Sequence, residues 1–528
     1  MDVSRSVTEA YKIWIALGGV ALALLWPWLP RRRALQALVV LVVIAGANYA
    51  RWGLDLATRR LDAYDLLHYY VNAKYFDELE YFDLYPAVLL VDSENGGPFF
   101  DQGPTYQAQD ETGHHLEPVA SGIARGEVVR RDKFTAARWE AFEHDVLTLQ
   151  RTIGCRDRDS KGRCVRELDD KLWRQLINDH GFNGTPAWVL VARPFTVVPV
   201  ESLKVLGYLD VALLGGSVAL VAWAFGGTSA LWLTLWLLVT YSTRWPTLSW
   251  AFLRYDWIAA LVAATALLRK GHPLLAGVLT GWSAASRLFP AFWMLGPAGK
   301  GVAGLFRRVV HRPLLSLAIG FLATVIVVEG AAFATFGTEP TATHFANMED
   351  HTRAEQLSSR RIGLALTLVT EPWKGTSVPA ILTKEHKQEI DRQIPFRYAL
   401  AGIILLALAW GLRRSRDEEA FAYGFFPFFL LTTASYYYYV ARAPLVAVHS
   451  GELEHPRHRI SLAYLFGIEV FCSAAETIYP GHRLFLIGTL AWLIAAYVLA
   501  TTVALLAEAR GSAAIQRRYE SPSPPPMP

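Results

Sequence analysis

The sequence predicts an all-α polytopic membrane protein of about 13 transmembrane helices, with a large helical outer loop between spans two and three. Three observations carry this. Of the 528 residues, 53% are hydrophobic and only 19% charged. The apolar residues gather into runs close to the roughly 20 residues that cross a bilayer. Basic residues cluster at alternate junctions between these runs.

Apolar runs fall near 12–30, 34–51, 203–225, 229–243, 255–269, 273–288, 289–306, 313–336, 397–412, 419–436, 438–450, 460–478 and 484–507. The first has no small-residue cleavage site and is followed by Arg31, Arg32 and Arg33, so it reads as a retained span. Six basic clusters fall on one side: Arg31–Arg33, Arg269/Lys270, Arg307/Arg308/Arg312, Arg413/Arg414/Arg416, His455–Arg459 and Arg517/Arg518. By the positive-inside rule that side is cytoplasmic. Residues 1–51 then hold two N-terminal spans, 52–202 a large extracytoplasmic loop and 203–336 a bundle. Residues 337–396 form a second extracytoplasmic loop, 397–510 a C-terminal bundle, and 511–528 a Pro-rich, disordered cytoplasmic tail. No internal repeat is visible, which weighs against transporters built from duplicated halves.

Several soluble-type sites are absent. "GPAGKG" (296–301) lacks the Ser or Thr and the spacing of a phosphate loop. "HPRHR" sits among arginines on the positive side, and His114–His115 lies in a Gly-rich stretch. Asn183-Gly184-Thr185 is a formal glycosylation sequon. The net charge of +4 is spread without a basic domain, so nucleic acid is not an expected partner. Cys155 and Cys164 bracket a polar hairpin, "CRDRDSKGRC", and a disulfide is expected there in an oxidising compartment.

The informative polar residues lie at the outer ends of the spans. After the second span comes "DAYDLLHYYVNAKYFDELEYFDLYP" (62–86), with Asp62, Asp65, His68, Tyr69 and Asn72. On a helix, with about 100° per residue, Asp65, His68 and Asn72 share a face within roughly 60°. Arg254 and Asp256 open the fifth span, Arg287 stands before a Pro break, and "FANMEDHT" carries Asn347, Asp350 and His351. Tyr436, Tyr437 and Arg442 lie in a tyrosine-rich connection, and Asp210 is the one acid inside the third span. Each has an ordinary reading: a surface helix, a snorkelling or capping arginine, an aromatic belt. Ionisable groups at membrane depth are expensive, so they are also functional candidates.

This arrangement resembles the glycosyltransferase C superfamily, polytopic enzymes that use a polyprenyl-phosphate sugar as donor. The polyprenyl-phosphate-mannose branch opens its first outer loop with Asp, a Tyr-rich stretch, small residues and "LY". The matching residues are Asp65, Tyr69/Tyr70, Ala73 and Leu84–Tyr85. "LAGVLTGWSAASRLFP" (275–290) is similar to a second recurring feature, a helix that ends in a basic residue and Pro. The resemblance implies transfer of a sugar, mannose for instance, to a lipid or glycan hydroxyl on the extracytoplasmic face; a single base with no second nucleophile in the sequence points to inversion. The resemblance also implies Asp65 as catalytic base, with Asp62 and His68 beside it.

The chemistry fits such a site. Arg254, Arg287 and Arg442 would hold the departing phosphate through paired hydrogen bonds. Asn72, Tyr69, Asp256, Asn347, His351, Tyr436 and Tyr437 would contact substrate. No cofactor is expected; a divalent ion on Asp62, Asp65 and His68 is conceivable but not favoured. The competing classes are a transporter or lipid flippase, which would need ionisable groups along a path through the membrane, and a non-catalytic envelope scaffold.

Overall fold

The structure is a computed structural model. It describes residues 5–53, 66–95, 105–110, 113–153, 155–158, 164–167, 176–178, 181–243, 252–306, 308, 310–353 and 357–510. Seven helices are long and apolar enough to cross a membrane: Val7–Trp28, Arg31–Tyr49, Val200–Phe225, Arg312–Phe336, Ile394–Leu412, Pro456–Ile478 and Arg483–Arg510. The chain is a membrane protein by this measure, with seven such helices among the described residues. The other predicted spans exist as shorter helices. Asp256–Arg269 has 14 residues and Pro273–Arg287 has 15, about 21–23 Å at 1.5 Å per residue against a core of about 30 Å. The run 419–436 is divided into Asp417–Ala422 and Phe425–Leu431. The run 438–450 becomes a 3₁₀ turn, Tyr436–Arg442, followed by Ala443–Ser450. Hydropathy reports a continuous apolar run; it does not report where the helix breaks within it.

Asp256–Arg269 is buried almost all round, which is why its sequence is apolar on every face. Gly271, at φ +76°, turns the chain into Pro273–Arg287. Gly277 and Gly281 let that helix lie directly on Arg312–Phe336. A Cβ at Gly277 would stand 2.1 Å from the Leu317 carbonyl oxygen, and one at Gly281 2.7 Å from that of Phe321. This is a small-xxx-small contact between apolar helices. It gives the "AGVLTG" stretch a packing role and fixes the height of Arg287.

The described residues between 66 and 206, together with Phe252 and Leu253, build a second core, from Leu66, Tyr70, Phe76, Val88, Phe142, Phe182 and Trp188 among others. The expectation of an all-helical loop needs correction. Thr105–Asp110 pairs antiparallel with Gly113–Pro118, and Cys155–Arg158 with Cys164–Glu167. The second register sets Cys155 opposite Glu167 and Cys164 opposite Arg158. The side chains of both cysteines, and with them the expected disulfide, lie outside what is described. A third ladder joins Arg361–Ile362 to Ala434–Ser435.

Basic clusters from distant parts of the sequence meet at one end of the bundle. Arg269 pairs with Glu418 at 2.9 Å, Arg416 with Glu418 at 3.1 Å, and Lys300 with Asp417 at 2.6 Å. Arg457 bridges Glu419 at 2.6 Å and Glu508 at 2.8 Å, and Arg459 lies over Trp28 at 5.1 Å. Asp256 and Arg287 mark the other end. There the second core and helix Glu339–Thr352 pack on the bundle.

Candidate functional site

Four elements converge where the second core meets the bundle. Helix Pro273–Arg287 ends there, and helix Asp256–Arg269 begins there. Ser286 Oγ donates to Asp256 Oδ2 at 2.9 Å and Ser283 Oγ donates to the Trp257 carbonyl at 2.8 Å, which fixes one end to the other. A carboxylate at a helix N-terminus and a guanidinium at a C-terminus both suit the helix dipoles. The turn before Asp256 hangs on Asp210. Its carboxylate accepts the backbone N–H of Arg254 at 3.0 Å and of Tyr255 at 2.9 Å. Asp210, fully buried, therefore positions the turn that carries Arg254.

The backbone is strained beside both arginines. Leu253 has φ +48° and Leu288 has φ +56°, a region that side chains with a Cβ rarely adopt. Such strain persists only where surrounding structure holds it, and it concentrates at functional sites. Thr185 supplies one restraint. It caps helix Pro186–Ala192 by accepting the Trp188 N–H, and its hydroxyl donates to the Ala285 carbonyl at 2.6 Å. The formal sequon thus serves as structure: Thr185 is buried, and Asn183 Oδ1 accepts the Tyr69 hydroxyl at 2.5 Å.

Two guanidinium groups lie over tyrosine rings, and a third is within electrostatic reach of the same tyrosines. Arg287 lies 5.4 Å from the Tyr69 ring and 5.5 Å from the Trp188 ring. Tyr437, Tyr438 and Asp256 lie within its electrostatic reach. Arg254 approaches the Tyr437 ring at 6.0 Å, and the Tyr437 and Tyr438 rings lie 4.4 Å apart, tilted by 47°. Arg361 lies within electrostatic reach of the same two tyrosines. The short ladder of Arg361–Ile362 with Ala434–Ser435 brings it there, continued by the Tyr436 N–H donating to the Arg360 carbonyl at 2.8 Å. Arg287 Nη1 and Asp256 Oδ1 are buried without a hydrogen-bond partner among the described residues. A cationic, aromatic-walled site with an open donor on Arg287 and an open acceptor on Asp256 is chemically suited to anions that also carry hydroxyls.

The sequence-predicted residues divide. Arg254, Asp256, Arg287, Tyr69 and Tyr437 come together here. Tyr436 sits one step away, with its ring 5.2 Å from that of Tyr241. Asp62 and Asp65 lie outside the described residues. The shared face predicted for residues 65–72 is not that of a regular α-helix, because Leu66–Val71 is a π-helical turn. That turn aims Tyr69 at Arg287 and turns His68 into the second core, where its Nε2 meets the Tyr85 hydroxyl at 2.7 Å. Asn72 is likewise buried and donates to the Glu80 carbonyl at 2.8 Å. Arg442 stands apart: it is paired with Glu469 at 2.9 Å, both essentially unexposed, under the Trp236 ring. Asn347 is buried on helix Glu339–Thr352; the side chains of Asp350 and His351 lie outside what is described. Sequence reasoning did not single out His344, Trp188 or Arg361. His344 and Arg361 sit in a polar stretch with no periodicity to mark them. Among the described residues no three His, Cys, Asp or Glu side chains come together as a metal site.

His344 is 3% exposed, and neither ring nitrogen has a partner among the described residues. Burial, helped by the nearby Arg287 charge, pushes its imidazole from 6.5 down to about 4. Between those pH values the unfolded chain binds a proton that the folded chain lacks. Stability therefore rises with pH through this window and is lost as pH falls from 6.5 toward 4. The loss should be on the order of 3 kcal/mol. Unfolding monitored across this range should show it, and His344→Phe should flatten the dependence.

No known protein family, curated protein or solved structure matches this chain.

Proposed function

We propose that the protein is a membrane glycosyltransferase that moves a sugar from a polyprenyl-phosphate donor to a hydroxyl acceptor on the extracytoplasmic face. The observation that carries this is the group of Arg254, Arg287 and Arg361 around Tyr437 and Tyr438, with Arg287 Nη1 unpartnered. A departing lipid phosphate gains negative charge as the glycosidic bond breaks, and preorganised guanidinium groups stabilise that charge. The aromatic rings suit the sugar face or the isoprenoid. The site lies at the bundle end opposite the basic clusters, which is the outer end by the positive-inside rule. Transfer to a hydroxyl also needs a proton acceptor. Asp65 is proposed for this role, four residues before Tyr69, on the segment that resembles the family's first loop.

The expected result is that Asp65→Asn lowers transfer by roughly 10²–10⁴, the usual worth of a general base, with little change in donor affinity. Asp62→Asn should cost much less. Transfer from a polyprenyl-phosphate sugar in membranes, normalised to protein amount, is the assay. Near-normal turnover of Asp65→Asn would remove Asp65 from the mechanism.

One observation favours a second reading, a transporter or flippase. Buried ionisable groups are not confined to one end. Arg442–Glu469 is fully buried, and near the basic end His449 Nδ1 meets His458 Nδ1 at 3.0 Å, with Glu419 and Arg457 beside them. Transport predicts that the donor crosses the bilayer intact; the transferase predicts that it is cleaved.

A further inference from the structure

Helix Glu339–Thr352 has an inverted stripe. Positions 340, 344 and 347 follow helical spacing and face inward, where a helix ordinarily puts Leu, Val or Phe. Here they are Pro340, His344 and Asn347, all buried, while Phe345 is 56% exposed. Neither ring nitrogen of His344 has a hydrogen-bond partner among the described residues, and neither has Asn347 Nδ2. Buried polar atoms without partners are costly, and a native structure keeps few of them. The His344 ring lies 5.9 Å from Tyr81, whose hydroxyl donates to the Gly184 carbonyl, and His344 is within electrostatic reach of Arg287. The helix also packs against Pro186–Ala192, which carries Trp188.

We propose that His344 and Asn347 form a hydroxyl-recognising subsite beside Arg287, so that the bound head group is a sugar phosphate and not a bare phosphate. The inference rests on the anion-binding reading of Arg287 given above. Counting donors and acceptors leads to it. Arg287 Nη1 and Asn347 Nδ2 only donate, Asp256 Oδ1 only accepts, and a neutral imidazole does one of each. Ester phosphate oxygens only accept, so they match Arg287 and Asn347 and leave the acceptors unmet. An apolar chain matches none of these atoms. A sugar phosphate brings acceptor oxygens and donor hydroxyls together. His344 is on this account a substrate-contacting residue that selects the sugar.

The experiment uses the full-length protein in nanodiscs, with inorganic phosphate and mannose 1-phosphate as probes in calorimetric titrations. The wild type should bind mannose 1-phosphate at least about 10-fold more tightly than phosphate, the worth of one or two net hydrogen bonds. His344→Phe should erase that preference, leave phosphate affinity unchanged, and raise the melting temperature of the ligand-free protein. His344→Gln, which keeps a donor and an acceptor, should restore part of the preference. No preference in the wild type, or an undiminished one in His344→Phe, would overturn the subsite while leaving the anion site standing. A lower melting temperature with loss of both probes in His344→Phe would mark His344 as structural and overturn it too. Arg287→Gln should weaken both probes; if it weakens neither, the anion-binding reading itself fails.

Discussion

Arg287→Gln should reduce sugar transfer by roughly 10²–10³, the cost of losing a preorganised donor to developing negative charge, while the protein folds normally. Both halves of this expectation come from the same geometry. The Arg287 guanidinium is held between the Tyr69 and Trp188 rings, with Nη1 buried and unpartnered. No carboxylate lies within salt-bridge distance of it among the described residues, and the buried Asp256, whose charge it moderates, is also held by the hydrogen bond from Ser286. Gln is shorter and uncharged; it leaves the helix end intact, because Ser286–Asp256 and Thr185–Ala285 hold that end independently. Activity measured on membranes and melting temperature measured on purified protein should therefore separate. A collapse in melting temperature equal to the collapse in activity would assign Arg287 to the fold.

Arg442→Leu should do the reverse. Arg442 and Glu469 are 1% and 0% exposed and 2.9 Å apart. Removing one partner leaves a carboxylate buried without its counter-charge, which costs about 3–5 kcal/mol. Glu469 also accepts the Tyr241 N–H at 2.7 Å, so the damage extends to the turn beside the tyrosine run. The double variant Arg442→Leu with Glu469→Gln should recover most of the loss, because Gln still accepts that N–H and carries no charge. Chemical unfolding in detergent of the two single variants and the double reads the coupling directly. Additive losses would show that the pair is not the unit described.

These two arginines show how far the sequence reaches. Both stand at the margin of an apolar run, and both were candidates for holding phosphate. A charge in an apolar run reports that something compensates it; it does not report whether the compensation is a buried partner or a ligand. Glu469 lies in a different apolar run from Arg442, and only the fold brings the two together. The same limit applies to residues 62–86. A helical wheel groups Asp65, His68 and Asn72, yet a π-helical turn at Leu66–Val71 sends Tyr69 to the site and His68 into the core. Arg361 was hidden because a two-residue ladder to Ser435 delivers it, and such pairing has no local signature. His344 was hidden because a histidine in a polar stretch looks solvated. Legible in the sequence were the membrane class, the positions of the long helices, and the gathering of Arg254, Asp256, Arg287 and the tyrosines at one end. Which apolar runs fold as one long helix was not, because a helix can break within a run without making the run less apolar.

The most direct test of the central claim follows the fate of the donor. Purified protein in proteoliposomes would be given a polyprenyl-phosphate sugar labelled in both sugar and lipid, together with extracted envelope acceptor. The account predicts that free polyprenyl phosphate appears in step with labelled glycoside, and that Arg287→Gln abolishes both. Donor that moves between leaflets with sugar and lipid still joined, at a rate unaffected by acceptor, would contradict it.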